Sequence, residues 1–307
     1  MFERTLASIP GLVLALAFAP LLLGVINRTK AFFAGRHGQP LLQTYYDVAK
    51  LLRKGAVYSR TTSWVFRAGP VVGLAAVLGA LAIVPLGGAP ATLSFSGDMV
   101  LLAYWLGLMR FFTVLAALDT GSAFEGMGAS REVQFSALAE PALLLGLAAL
   151  VKTTGELSLT GVYATLSPAT LWAAGPVMFL VAAALVVVFL TENARIPIDD
   201  PNTHLELTMI HEVMVLDHSG PDFALITYAA SLKLWVLGAL VVGVVLPVRT
   251  GYVAADLGVA LAGMLGLAVV TGVIESTMAR LRLLRVPHLL AGAIVLAALA
   301  LVLAWRH

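Results

Sequence analysis

The 307-residue sequence contains no cysteine. Disulfides, thiolate zinc sites and cysteine-held iron–sulfur clusters are therefore excluded from this chain. Charge is scarce as well: 12% of residues are Asp, Glu, Lys or Arg, where an ordinary soluble domain has about 25%. No G-x-x-x-x-G-K-[ST], no G-x-G-x-x-G after a strand and no zincin motif occurs, so the chain has no phosphate cradle of its own. What remains is hydrophobic: 60% of residues are apolar and the mean hydropathy is +0.95. That excludes a free-standing soluble enzyme and a disordered tail, and predicts one polytopic all-α membrane domain over 1–307. The net charge of +2 sits in loops, as a topology rule requires, and is no nucleic-acid footprint.

A run of roughly 20 apolar residues crosses a bilayer as a helix. About eight such runs are present, near Leu6–Ile26, Pro70–Leu86, Met99–Leu118, Phe135–Val151, Leu171–Leu190, Ala224–Leu246, Val253–Glu275 and His288–Trp305. The first is read as an uncleaved span, since it is long, has a weak n-region at Glu3–Arg4 and shows no A-x-A-like exit. Lys and Arg set the orientation. Arg28, Lys30, Arg36, Lys50, Arg53, Lys54, Arg60 and Arg67 follow span one; Arg131 follows span three, Arg195 span five, and Arg280, Arg282 and Arg285 span seven. Only Arg4, Lys152, Arg249 and Arg306 fall on the other side. Both termini are thus expected outside, with 27–69, 119–134, 191–223 and 276–287 in the cytoplasm.

Two of these segments are long. In the first, Leu41, Tyr45, Val48 and Leu52 recur at helical spacing and Lys50, Arg53 and Lys54 point away, which predicts an amphipathic surface helix. It would serve as a lipid anchor, as a wall of a lateral opening or as a dock for a soluble partner. The second reads ENARIPIDDPNTHLELTMIHEVMVLDHSGPD at 192–222. Asp200–Pro201 and the pair Thr203/Glu206 read as helix starts, and Ser219–Gly220–Pro221 as a stop. On a helical wheel Glu206 and Asp217 share the apolar arc of Leu207, Met209, Ile210, Val213, Met214 and Leu216. His204, His211 and His218 fall opposite, as an exposed stripe too widely spaced to share a metal. Carboxylates on a buried face have raised pKa values and exchange protons near neutrality; alternatively Glu206 caps the helix and Asp217 ends it.

Arg110, Glu140 and Lys233 lie inside spans three, four and six. Each is costly there unless paired or hydrated, which makes a function the default expectation. With Asp119, Glu192 and Glu275 at span ends, and Glu206 and Asp217, they would form a hydrated polar path. Static pairs such as Arg110–Glu140 are the alternative.

The acidic segment at 192–220 resembles the membrane subunit shared by respiratory complex I (mitochondrial subunit 1) and the membrane-bound nickel–iron hydrogenases. GRHGQPLLQTYYDVAKLLRKG at 35–55, ALDTGSAFEGMGASREVQFSALAEP at 117–141 and ESTMARLRLLRVPH at 275–288 are similar to further blocks of that family. Arg195, Pro197, Asp199 and Glu206 match its pattern, and Asp217–Gly220 stands where E-Y-S-G is usual. Asn202 and His204 replace acids, and the stretch from Glu206 to Asp217 is longer. THLELTMIHE and ARLRLLRVPH are similar to the formate hydrogenlyase and hydrogenase-4 branch. The resemblance implies a subunit, without independent turnover, joining a hydrophilic redox arm to antiporter-like membrane subunits. The arm, made of hydrogenase-like large and small subunits and an iron–sulfur subunit, would hold the iron–sulfur clusters and a nickel–iron site. It carries proton-path roles onto Glu140, Glu206 and Asp217; Glu192, Asp199, Glu212, Glu275, Arg110, Lys233 and Arg195 complete the candidate set. A quinone-site subunit of complex I and a passive anchor are the other two readings.

Overall fold

The computed structural model describes residues 2–199 and 209–306, with the side chains of 2–6 left aside. It is 75% helical. The helices are α1 (Phe2–Phe33), α2 (Gln43–Leu52), α3 (Trp64–Ile83), α4 (Asp98–Asp119), α5 (Ala123–Thr154), α6 (Leu159–Thr165), α7 (Pro168–Ala173), α8 (Gly175–Glu192), α9 (His211–Met214), α10 (Gly220–Val245), α11 (Val253–Thr277) and α12 (Val286–Ala304). Eight of these are long and apolar enough to cross a membrane: α1, α3, α4, α5, α8, α10, α11 and α12. The chain is a multi-pass all-α membrane protein. Among the described residues the spans alternate in direction, so 34–63, 120–122, 193–199, 209–219 and 278–285 share one end of the bundle, the loop face.

The hydrophobic pattern decides which helix is central. α10 is apolar all round, and 78% of its most hydrophobic window is buried, against 28% for α4 and for the last span. It packs on α1, α2, α3, α8 and α11. α3 pairs with α4, and α5 with α12. Their buried faces are lined by small residues, Gly69, Gly73, Ala76 and Ala80 on α3 and Ala293, Ala297 and Ala300 on α12. Small side chains let backbones approach where lipid supplies no hydrophobic drive.

Proline shapes α1. Pro20 has no N–H, so the Leu16 carbonyl loses its helical donor. The Tyr228 hydroxyl of α10 donates to that oxygen at 2.9 Å, and the Tyr45 hydroxyl of α2 donates to the neighbouring Ala17 carbonyl. α10 thus binds the carbonyl that proline frees, and the surface helix is tied to α1 one residue further on. Its predicted amphipathic pattern forms, and it has no fully buried residue.

Three expectations are corrected. Residues 123–134, expected in a loop, are the first turns of α5, whose 32 residues outrun the bilayer. Ser219–Gly220–Pro221 starts α10 rather than stopping a helix: Ser219 is extended, Gly220 has φ 55° and Pro221 occupies the first turn. Asp119, expected on a polar path, caps α3: its Oδ2 accepts from the backbone N–H groups of Ser63 (2.6 Å) and Phe66 (3.3 Å). The helix starts expected at Asp200–Pro201 and Thr203/Glu206 lie outside the described residues.

Candidate functional site

The site begins with Arg110, midway along α4. Its guanidinium forks: Nη1 donates to Glu140 Oε1 of α5 and Nη2 to Glu192 Oε1 of α8, each at 2.7 Å. Glu132 Oε1, one helical stretch before Glu140, lies 3.9 Å from Nε. Glu192 also faces Lys233 of α10, with Oε2 3.6 Å from Nζ. Two cations therefore hold three carboxylates, drawn from four spanning helices. Desolvating charges is expensive, so such a group persists only where each charge has partners. Arg110 supplies them through a planar fork that a lysine lacks. Glu192 is buried, whereas the Glu140 side chain is 40% exposed on the outer surface of α4 and α5. The cluster thus reaches from the core to the lateral wall of the bundle.

At its inner end the cluster opens into a cavity of about 150 Å³ beneath the loop face. Glu192, Arg195, Asp199, His211, Glu212 and Lys233 line it, with Met109, Phe223 and Ile226 among its apolar walls. That volume admits several waters, each of which needs about 10–15 Å³ by this measure. Burial pulls the His211 imidazole below its ordinary value, which keeps it neutral near pH 7 despite the Glu212 carboxylate.

The loop over the cavity is clamped by a second set of charges. Ala194 turns the chain out of α8 in the left-handed region, at φ 47°. Arg195 then reaches Glu275 of α11 (Nη1–Oε1, 3.3 Å), and Lys30 of α1 meets the other oxygen at 2.8 Å. Asp199 pairs with Arg280 at 2.7 Å and accepts from the Ile210 backbone N–H at 3.0 Å. This joins the two described edges of the segment. Arg131 of α5 donates to the Met209 carbonyl at 2.9 Å. Gly128 of α5 lies under α9 so closely that a Cβ there would come within 2.3 Å of Val213.

Of the sequence candidates, Arg110, Glu140, Glu192 and Lys233 meet in one cluster. Arg195, Asp199 and Glu212 line the adjoining cavity, and Glu275 anchors Arg195. Glu206 lies outside the described residues. Asp217 is a correction. It is exposed, and its backbone N–H donates to Glu125 Oε1 at 3.3 Å. The histidine stripe is a second correction in its two described members; His204 lies outside the described residues. His218 is buried and stacks on Phe66 at 3.9 Å and 9°, while His211 faces the cavity. Both have one cause. α9 is a four-residue turn of helix, and Val213, Met214 and Val215 bury into the bundle, so a continuous wheel does not hold through Asp217. Burial also lowers the His218 pKa, against the pull of Asp222 and Asp217.

Glu132, Lys30 and Arg280 join these networks and were not among the candidates. Glu132 had a signal: Glu125, Glu132 and Glu140 recur at steps of seven and eight, one stripe of a helix. Lys30 and Arg280 carry no pattern beyond the basic-loop asymmetry.

The NADH dehydrogenase family model matches residues 7–305. Formate hydrogenlyase subunit 4 of Escherichia coli (strain K12) is 32% identical over 273 residues, covering 87% of this chain and 88% of that protein. Hydrogenase-4 component C of the same organism is 31% identical over 294 residues, covering 94% and 92%. A subunit of the NADH-quinone oxidoreductase of Anaplasma phagocytophilum (strain HZ) is 26% identical over 220 residues, covering 65% and 63%. A chain of the membrane-bound sulfane sulfur reductase, an archaeal respiratory membrane complex, superposes with a TM-score of 0.82 over 98% of this chain and 99% of that one. At 18% identity that likeness speaks for the fold alone.

Proposed function

The chain belongs to the NADH dehydrogenase family, and on that premise we propose that it is the coupling membrane subunit of a complex I-like, membrane-bound hydrogenase of the formate hydrogenlyase type. It joins a hydrophilic redox arm at the loop face to antiporter-like subunits beside it, and turns electron transfer into movement of protons or sodium ions. Its partners are hydrogenase-like large and small subunits and an iron–sulfur subunit. Those chains hold the iron–sulfur and nickel–iron centres, since this sequence offers no thiolate. It sits in the cytoplasmic membrane with both termini outside, in line with the Lys/Arg asymmetry.

The observation that carries this reading is the shared arginine. Arg110 bridges Glu192, at the wall of a hydratable cavity below the acidic loop, to Glu140 at the lateral surface. A shift of the loop that moves Arg195 or Asp199 changes the field at Glu192. Glu192 then redistributes between Arg110 and Lys233, and the change is felt at Glu140 without either carboxylate crossing the membrane. The residues move protons by rearranging partners; the redox chemistry belongs to the arm.

One observation favours the hydrogenase branch over a quinone-site subunit. The two longer matches above are to hydrogenase-type proteins. The test is an assay of the purified complex for hydrogen evolution from a low-potential donor, repeated with a soluble quinone and a quinone-site inhibitor. Hydrogen activity indifferent to both is expected. Quinone-dependent turnover abolished by the inhibitor would replace this reading with the complex I one.

A further inference from the structure

α1 ends where the chain leaves the membrane, and three cations crowd that end. Lys30 is neutralised by Glu275 at 2.8 Å. Arg28 and Arg36 are different: among the described residues no carboxylate is found within 4.0 Å of either. Local sequence places them together. Gly35, at φ 64°, closes the helix in a left-handed turn, with Arg36 N–H donating to the Ala31 carbonyl at 2.8 Å and Gly35 N–H to Phe32 at 3.1 Å. The chain folds back over the helix end, and the Arg28 guanidinium donates to the His37 carbonyl.

Arg28, Arg36 and His37 rim an open cavity of about 600 Å³ between α1 and α11. Its apolar wall is Phe32, Phe33, Val269 and Val273. Phe32 is 79% exposed and Val269 44%. Both helices are membrane spans, so this groove faces lipid at the depth of headgroups on the loop-face leaflet. The segment 27–69 carries eight Lys and Arg but a single acid, Asp47, so the field at the rim stays positive. We propose that this groove is a binding site for one anionic phospholipid. The phosphate sits between Arg28 and Arg36, and an acyl chain lies along Val269 and Val273. A free anion would gain nothing from the apolar wall. A zwitterionic lipid would bring its own cation to a positive rim. A partner's apolar helix would leave two guanidinium groups facing hydrocarbon. An anionic lipid alone satisfies the rim and the wall together.

The test is native mass spectrometry of the purified complex in detergent, titrated with dioleoylphosphatidylglycerol. One tightly held molecule per complex is expected to depend on this chain. R28Q/R36Q is expected to weaken it about 25-fold, at about fivefold per cation near an anionic headgroup. V273W fills the groove, leaves both arginines in place, and is expected to release the lipid too; it carries the test if R28Q/R36Q fails to assemble. K50Q/R53Q removes the same charge from the far end of the segment and is expected to weaken binding much less than R28Q/R36Q. Inorganic phosphate is expected not to compete. The proposal is overturned if dioleoylphosphatidylcholine is held as tightly, if K50Q/R53Q weakens binding as much as R28Q/R36Q, if V273W keeps the lipid, or if phosphate displaces it. Crosslinks from position 32 to another protein chain that persist in delipidated and lipid-loaded complex alike would also overturn it, by assigning the groove to a protein.

Discussion

Carboxylates are handled differently at the two ends of this bundle. Away from the loop face, Asp98 is buried and its Oδ1 accepts from the Leu159 backbone N–H at 2.8 Å. Asp256 there accepts from the backbone N–H and the hydroxyl of Thr250, both at 2.8 Å. Arg249 of the same region donates to the carbonyls of Tyr163 and Val248. Such partners are fixed to the chain and tie loops to helix ends. Towards the loop face, Glu132, Glu140, Glu192 and Glu275 are met by arginine and lysine side chains, and Arg110, Lys233 and Arg195 stand between acids or beside a cavity. A carboxylate held by backbone has one arrangement. A carboxylate that shares a cation with others has several of similar energy, which is what a device that relays charge needs. Backbone-held carboxylates such as Asp119 occur at the loop face too, but among the described residues the carboxylates that share cations gather towards it, and the proposed coupling lies there.

The largest way to break that contrast is Arg110→Met. It leaves three carboxylates with Lys233 alone and is expected to cost about 3–5 kcal/mol, the range for stripping one partner from a buried ionic group. The readout is loss of assembled complex and a lower thermal midpoint. R110M/E192Q is expected to recover part of that loss, with a coupling above about 1 kcal/mol in the double-mutant cycle. Additive effects would mean that Arg110 and Glu192 do not act as one unit.

Asp98→Ala comes next. It orphans the Leu159 N–H and is expected to cost about 1–3 kcal/mol, with the ions moved per electron unchanged in whatever complex assembles. A change in that ratio would erase the distinction between the two ends.

The smallest effect is a pH dependence at the loop face. His218 is buried against Phe66, and its pKa is lowered by that burial. The folded state therefore binds fewer protons than the unfolded one. Its contribution is full above the unfolded value of about 6.5 and is lost as pH falls through the folded value. The slope cannot exceed about 1.4 kcal/mol per pH unit for one group. His218→Phe, which keeps the stack, is expected to flatten the fall in thermal midpoint below pH 6.5. An unchanged slope would show that another group carries it.

Much of this was legible in sequence. Run lengths gave eight spans, because a bilayer imposes a minimum length on any helix that crosses it. The cost of charge in lipid singled out Arg110, Glu140 and Lys233, and three helices do bring them to one cluster with Glu192. The acidic segment misled where a wheel was drawn across a chain that tertiary packing bends. Val213–Val215 bury regardless of the register of Asp217, which is left exposed while His218 is taken inside. Glu132 was hidden by the assumption that a polar stretch is a loop, when α5 continues through it beyond the bilayer. Lys30 and Arg280 were hidden because a topological charge and a clamp look alike until the partner is known.

In the proposed coupling, Glu192 relays charge between the acidic loop and Glu140. Its most direct test is the complex carrying Glu192→Gln, reconstituted into sealed vesicles, with electron transfer and the ion gradient measured together. Gln keeps the shape and the acceptor facing Arg110 but cannot take or lose a proton. Electron transfer close to that of the natural protein and loss of most of the ion gradient are expected. A gradient of full size per electron would rule out a relay at Glu192 and leave the chain as an anchor.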